Sequence, residues 1–234
     1  MTEQDVRAPG ACRIASPAEA AALVRPGSVV MVGGFGLVGA PLTVLDALAG
    51  SSGAVVPADG LTVISNNLGE SGRGLGRLLL EGRVRKAVGS FFTSNPDAVR
   101  WHSEGRLEVE LMPQGTLAES IRAGGAGIGG FYVRTGVGTE LARGHEERLI
   151  RGESWLYYEG MRADVALIRA HVADELGNLV YSKTARNFNP LMAAAADLVI
   201  AEVDRVVPVG TLDPEVVITP HPLVDRLVLA EVFL

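Results

Sequence analysis

The chain has 234 residues, of which 47% are apolar and 21% charged, with a formal net charge of −6 and a single cysteine. A chain of this size buries a core that needs no covalent staples, and one cysteine excludes a disulfide framework. The acidic balance argues against general nucleic-acid binding. No apolar run approaches the roughly 20 residues that span a bilayer.

Residues 1–15 read as a flexible N-terminal arm, and residues 16–234 as one domain. The arm starts acidic and polar, without the basic-then-apolar order of an export signal, so a cytoplasmic protein is expected. Cys12 reads as an incidental residue of that arm. Ser16 and Pro17 are the cap and first position of a helix that runs to Val24. Ser28 to Val32 is a strand and Leu42 to Ala49 a helix. Between them lies Gly33-Gly34-Phe35-Gly36-Leu37-Val38-Gly39-Ala40-Pro41. Glycine there lets backbone approach a ligand closely, and the helix that follows offers unpaired N–H groups to an anion.

Leu61 to Ser65 is the next strand and Gly74 to Glu81 its helix, followed by strand Lys86 to Phe92 and helix Pro96 to Ser103. Strand Leu107 to Leu111 precedes helix Thr116 to Ala123. Gly124 to Val137 reads as a long functional loop, because it is rich in glycine and lacks periodicity. His145 to Tyr158 reads as a hairpin turning at Arg151-Gly152. Ala163 to Ala170 is a fully buried strand, and Asn178 to Tyr181 a short one. Helix Leu191 to Ala196, strand Leu198 to Val203 and strand Val224 to Val228 complete the series. Short β-rich runs alternating with helical ones predict an α/β fold: a single-domain, open, mostly parallel sheet with flanking helices.

Gly34, Gly36 and Gly39 fit a G-x-G-x-x-G pattern literally. A dinucleotide site wants an acidic residue at the end of the next strand, and Ser65-Asn66-Asn67 stands there. Those asparagines sit where open α/β sheets bind ligands, although asparagine also favours plain turns. Gln114, at another strand tip, is a neutral donor suited to an oxygen on which charge develops. Thr116 and Glu119 fit a T-x-x-E capping box. The four histidines lack metal-ligand spacing, so no metal site is expected. Lys183 and Arg186 either face an anionic group or lie on a solvated surface.

Five stretches in order resemble the landmarks of family I coenzyme A transferases. They are Gly33-Gly34-Phe35-x-x-x-Gly39-x-Pro41, Ser65-Asn66-Asn67, Pro113 to Glu119, Arg122-Ala123-Gly124-Gly125-Ala126-Gly127 and Ala185-Arg186-Asn187-Phe188-Asn189. The resemblance covers about residues 16–230 and is to the α (A) subunits of the 3-oxoacid type. Pro26 departs from it, standing where the family has Asp or Asn. The resemblance implies a CoA-transferase-like fold with Rossmann-like layering and a role in ketone body metabolism. It implies transfer of CoA from an acyl-CoA such as succinyl-CoA to a 3-oxoacid, with 3-oxoadipate or acetate transfer as alternatives. The family's route is a glutamyl-CoA thioester on a separate β subunit, in a Ser-Glu-Asn-Gly stretch. Asn66 and Asn67 occupy the corresponding place here, and an amide is no such nucleophile. Gln114 is then the oxyanion donor, while Gly33, Gly34, Phe35, Gly36, Gly39, Asn66, Asn67, Gly124 and Gly125 line the acyl or CoA pocket. The implied partner is a β subunit in a hetero-oligomer such as α2β2. CoA acts as substrate, no cofactor is held tightly, and neither nucleic acid nor membrane is involved. Two rivals remain: a non-catalytic CoA- or metabolite-binding protein of the same fold, and a sugar-phosphate isomerase. The isomerase would need acid/base groups at strand tips that carry Asn and Gln instead.

Overall fold

The computed structural model describes residues 12–50 and 58–231. In chain order the strands are β1 (Arg13–Ile14), β2 (Val29–Val32), β3 (Leu61–Ile64), β4 (Val84–Gly89), β5 (Glu108–Leu111), β6 (Gly130–Val133), β7 (Glu147–Ile150), β8 (Glu153–Glu159), β9 (Ala163–Asp174), β10 (Leu179–Val180), β11 (Ala196–Val207) and β12 (Arg226–Leu229). The helices are α1 (Pro17–Ala21), α2 (Leu42–Leu48), α3 (Leu75–Leu80), α4 (Pro96–Ser103), α5 (Gln114–Gly125) and α6 (Asn189–Ala194).

The main sheet runs β1-β12-β11-β9-β2-β3-β4-β5, with β10 added to β9. Every pair along that path is parallel, and only β10 joins antiparallel. Both faces of such a sheet must be covered, and the period-2 pattern of the strands does the sorting. In β2, Val30 and Val32 pack with Val44, Leu45 and Leu48 of α2 and with α1, α3 and α4. Met31, between them, packs on the opposite face with Leu117 and Ile121 of α5 and Met192 of α6. Each fully buried leucine of this kind contributes roughly 1.5–3 kcal/mol. Among the described residues no helix is long and apolar enough to cross a membrane.

Several boundaries move. Up to residue 11 the expected arm lies outside the described residues, but Arg13 and Ile14 pair with Arg226 and Leu227 in the main sheet. Gly124–Val137 is not one loop. Its first two glycines finish α5, and Gly130–Val133 pairs antiparallel with β8 in a second sheet, β6-β8-β7. The hairpin at Arg151-Gly152 is present, with both residues at positive φ (52° and 81°) as a type I′ turn requires. Strands β9 and β11 run to Asp174 and Val207, past the apolar cores seen in sequence. Glu119 makes no capping box: α5 starts at Gln114, before Thr116, and Glu119 pairs instead with Arg122 at 2.6 Å. The Ser16 cap on α1 forms as expected, with Glu19 closing a capping box.

Candidate active site

Because β2, β3, β4 and β5 are parallel neighbours, their C-terminal tips share one edge of the sheet. Cross-links hold these tips in step. Ser65 Oγ donates to the Val32 carbonyl at 2.8 Å, Ser65 N–H donates to Val88 O at 3.0 Å, and Met112 N–H donates to Gly89 O at 2.9 Å. Gly89 permits this approach, since a Cβ there would lie 2.2 Å from the Ser65 carbonyl oxygen.

The four tips surround an open hollow of about 450 Å³, lined by Phe35, Gly36, Asn66, Asn67, Ser90, Phe91, Ser94 and Gln114. No carboxylate is among these residues. Asn66 is buried, and its Nδ2 donates to Gln114 Oε1 at 2.6 Å and to Ser90 Oγ at 3.2 Å. Ser90 Oγ also donates to Gln114 Oε1, at 2.9 Å. The carbonyl end of Gln114 is thereby fully engaged. Its Nε2 has no partner among the described residues, so two N–H donors remain for a bound oxygen. Asn67 is turned inward on its own backbone, with Oδ1 accepting from Gly69 N–H at 3.0 Å. Phe35 and Phe91 are 53% and 55% exposed, which leaves two aromatic walls open beside the amides.

The glycine turn is a small hairpin: Phe35 N–H donates to Val38 O at 3.0 Å and Val38 N–H to Phe35 O at 3.2 Å. Gly34, Gly36 and Gly39 all have positive φ. Its expected anion site at the start of α2 is already filled from within. The buried carboxylate of Glu202, on β11, accepts Val44 N–H at 3.0 Å and further hydrogen bonds from Thr43. α2 has no side-chain cap of its own. Arg169 on β9 bridges Glu202 and Asp204, and His171 Nδ1 lies 2.7 Å from Asp204. Burial pushes the Glu202 carboxyl up to about 7, against the pull of Val44, Arg169 and Thr43. A second hollow, of about 340 Å³, lies between Leu37–Ala40 of the turn and this charged cluster.

The structure thus brings Phe35, Gly36, Asn66, Asn67 and Gln114 together and leaves other expected residues apart from them. Gly33, Gly34 and Gly39 shape the turn without lining the hollow; Gly39 borders the second one. Gly124 and Gly125 lie at the end of α5, where a Cβ would stand 1.8 Å from the Met161 carbonyl oxygen and 3.0 Å from Ala194 respectively. Close packing requires glycine at both positions. Glu70 is exposed and pairs with Arg73 at 3.4 Å, outside the hollow. Lys183 and Arg186 are exposed and make no ion pair among the described residues. Sequence reasoning missed Ser90, Phe91 and Ser94, which follow β4 without any distinctive spacing.

An open parallel sheet whose strand tips carry amides and a glycine turn around a hollow has the architecture of an α/β ligand-binding or enzyme subunit. The chain belongs to the coenzyme A transferase family, whose model matches residues 14–230. It is 48% identical over 227 residues to the A-type subunit of the succinyl-CoA:3-ketoacid coenzyme A transferase of Xanthomonas campestris pv. campestris, covering 97% of this chain and 92% of that one. It is 43% identical over 213 residues to the alpha subunit of the acetate CoA-transferase of Escherichia coli, covering 91% and 94%. An acyl-CoA transferase from Escherichia coli O157:H7 shares the fold, with a TM-score of 0.84 at 23% identity over 96% of this chain. This chain spans 48% of that longer one.

Proposed function

We propose that this chain is the α-type half of a two-subunit CoA-transferase. It moves CoA from succinyl-CoA or a similar acyl-CoA to a 3-oxoacid, as in ketone body metabolism, with acetate or 3-oxoadipate as alternative acids. The observation that carries the proposal is the hollow itself. It offers amide donors, hydroxyls and two aromatic walls, but no carboxylate. The names of the two relatives, both of them subunits, support a divided site.

A glutamate of a β-type partner then attacks the thioester carbonyl, expelling CoA as its thiolate and forming a mixed anhydride. The thiolate attacks the glutamyl carbonyl, which gives a glutamyl-CoA thioester and releases the donor acid as its carboxylate. The acceptor carboxylate runs the same two steps in reverse. Gln114 Nε2 donates to the carbonyl oxygen as it becomes negative, a contribution of about 2.7–4 kcal/mol for donors of this kind. CoA enters and leaves as substrate, and no tightly held cofactor is required. An α2β2 assembly in the cytoplasm completes the reading.

The test uses this chain and its β-type partner, purified apart and then mixed. CoA exchange between succinyl-CoA and acetoacetate should appear only in the mixture, and mass spectrometry should find the CoA adduct on the partner. Exchange by this chain alone, or an adduct on it, would falsify the division of labour. The same assay across acetate and 3-oxoadipate identifies the acid.

A further inference from the structure

The stretch Ala185 to Asn189 has no place in the hollow, yet two of its side chains hold the glycine turn. Asn187 spans the small hairpin: its Oδ1 accepts Gly34 N–H at 3.0 Å, and its Nδ2 donates to Val38 O at 3.0 Å. Both ends of one side-chain amide are therefore used across the five residues 34–38 that present Phe35 and Gly36. Asn189 is fully buried; its Nδ2 donates to Gly39 O at 3.1 Å and its Oδ1 accepts Arg169 N–H at 2.9 Å. It ties the end of the turn to β9. Gly33 makes room for it, since a Cβ there would stand 1.8 Å from Asn189 Oδ1. Asn187 also holds a backbone φ of 20° and ψ of −122°, uncommon for a residue with a side chain. That conformation is kept where its amide reaches two points of the turn while also bonding Phe188 N–H and the Thr184 and Ala185 carbonyls of its own loop.

We propose that Asn187 and Asn189 are positioning residues for CoA transfer, clamping the glycine turn so that Phe35 and Gly36 face the amides of Asn66 and Gln114. Neither asparagine touches the reacting atoms; each acts through turn backbone. The proposal rests on the transferase reading for its kinetic part alone. Misplacement of a wall by about 1 Å can cost a factor of ~100 in rate, so loss of the clamp should fall on turnover more than on binding.

The test compares Asn187→Gly and Asn187→Asp in the complex with the β-type partner. Glycine tolerates the backbone conformation and deletes the amide, while aspartate keeps the acceptor for Gly34 and loses the donor to Val38. For Asn187→Gly we expect assembly and a Tm within a few degrees of wild type. kcat should fall about ten-fold or more, with KM for acyl-CoA shifted less than about three-fold. Hydrogen exchange in a peptide covering residues 33–40 should speed up about ten-fold, with the rest of the sheet unchanged. Asn187→Asp should lie between the two. Wild-type kcat in Asn187→Gly, or an unchanged exchange rate at the turn, overturns the proposal. So does faster exchange spread over the whole sheet. If glycine prevents assembly, the same readouts on Asn187→Asp decide, and wild-type values there overturn it. Exchange is read without activity. Looser turns in a complex that transfers no CoA would therefore sink the proposed function and leave the clamp standing.

Discussion

Gln114 is the side chain whose chemistry is most constrained by its neighbours. Asn66 and Ser90 both donate to its Oε1, which fixes the orientation of the amide and leaves Nε2 for a ligand. A free glutamine would lose rotamer entropy on engaging an oxyanion, whereas this one is already ordered. Gln114→Ala in the assembled complex should reduce kcat by about 10²–10³ while leaving assembly intact. A wild-type turnover number removes Gln114 from the chemistry. At this scale the clustering of Asn66, Asn67 and Gln114 around one hollow was legible, because they follow apolar strand runs, where side chains reach the sheet edge. Asn187 was visible as part of a motif but not as a clamp, because nothing local shows that a turn 153 positions away supplies its partner.

Among elements, local chemistry wrote some and concealed others. α4 begins after Asn95, whose side chain accepts Asp97 N–H, and has Pro96 at its first position, so its bounds were readable. β6 was not, because Gly129 and Gly130 hide a four-residue strand whose partner comes from β8. β9 and β11 were read short because His171 and Asp204 interrupt the apolar pattern just past Ala170 and Val203, and it is their pairing with each other, and that of Asp204 with Arg169, that makes them tolerable in strands. Gly124 and Gly125 have a role that glycine density did not show: they allow close contact between α5 and the chain at Met161 and Ala194. Gly124→Ala should therefore lower stability, by about 1–3 kcal/mol for an overpacked site, with KM for acyl-CoA unchanged. Chemical denaturation and steady-state kinetics together check this; a raised KM with intact stability would return Gly124 to the binding site.

For the whole molecule, the parallel order and the class of fold followed from alternation of short apolar runs, whereas the charge buried between β9, β11 and α2 did not. Burial raises the Glu202 carboxyl from 4.5 to about 7, so the folded protein holds this proton more tightly than the unfolded chain. Its contribution to stability is full below about 4.5 and is lost as pH rises through about 7. Wild type should thus lose up to about 3 kcal/mol relative to Glu202→Gln between those limits. Urea unfolding of both complexes across that range measures it. A difference between them that stays flat with pH is the contrary result.

The carboxylate lodged at the start of α2 has one more consequence. Because it is tethered within hydrogen-bond reach of Val44 N–H, an outside anion would have to displace it. The first turn of that helix, the usual berth for a nucleotide's phosphates, is closed to visitors by the protein's own side chain. The positive φ of Gly34, Gly36 and Gly39 gives the turn its shape whether or not a ligand approaches it.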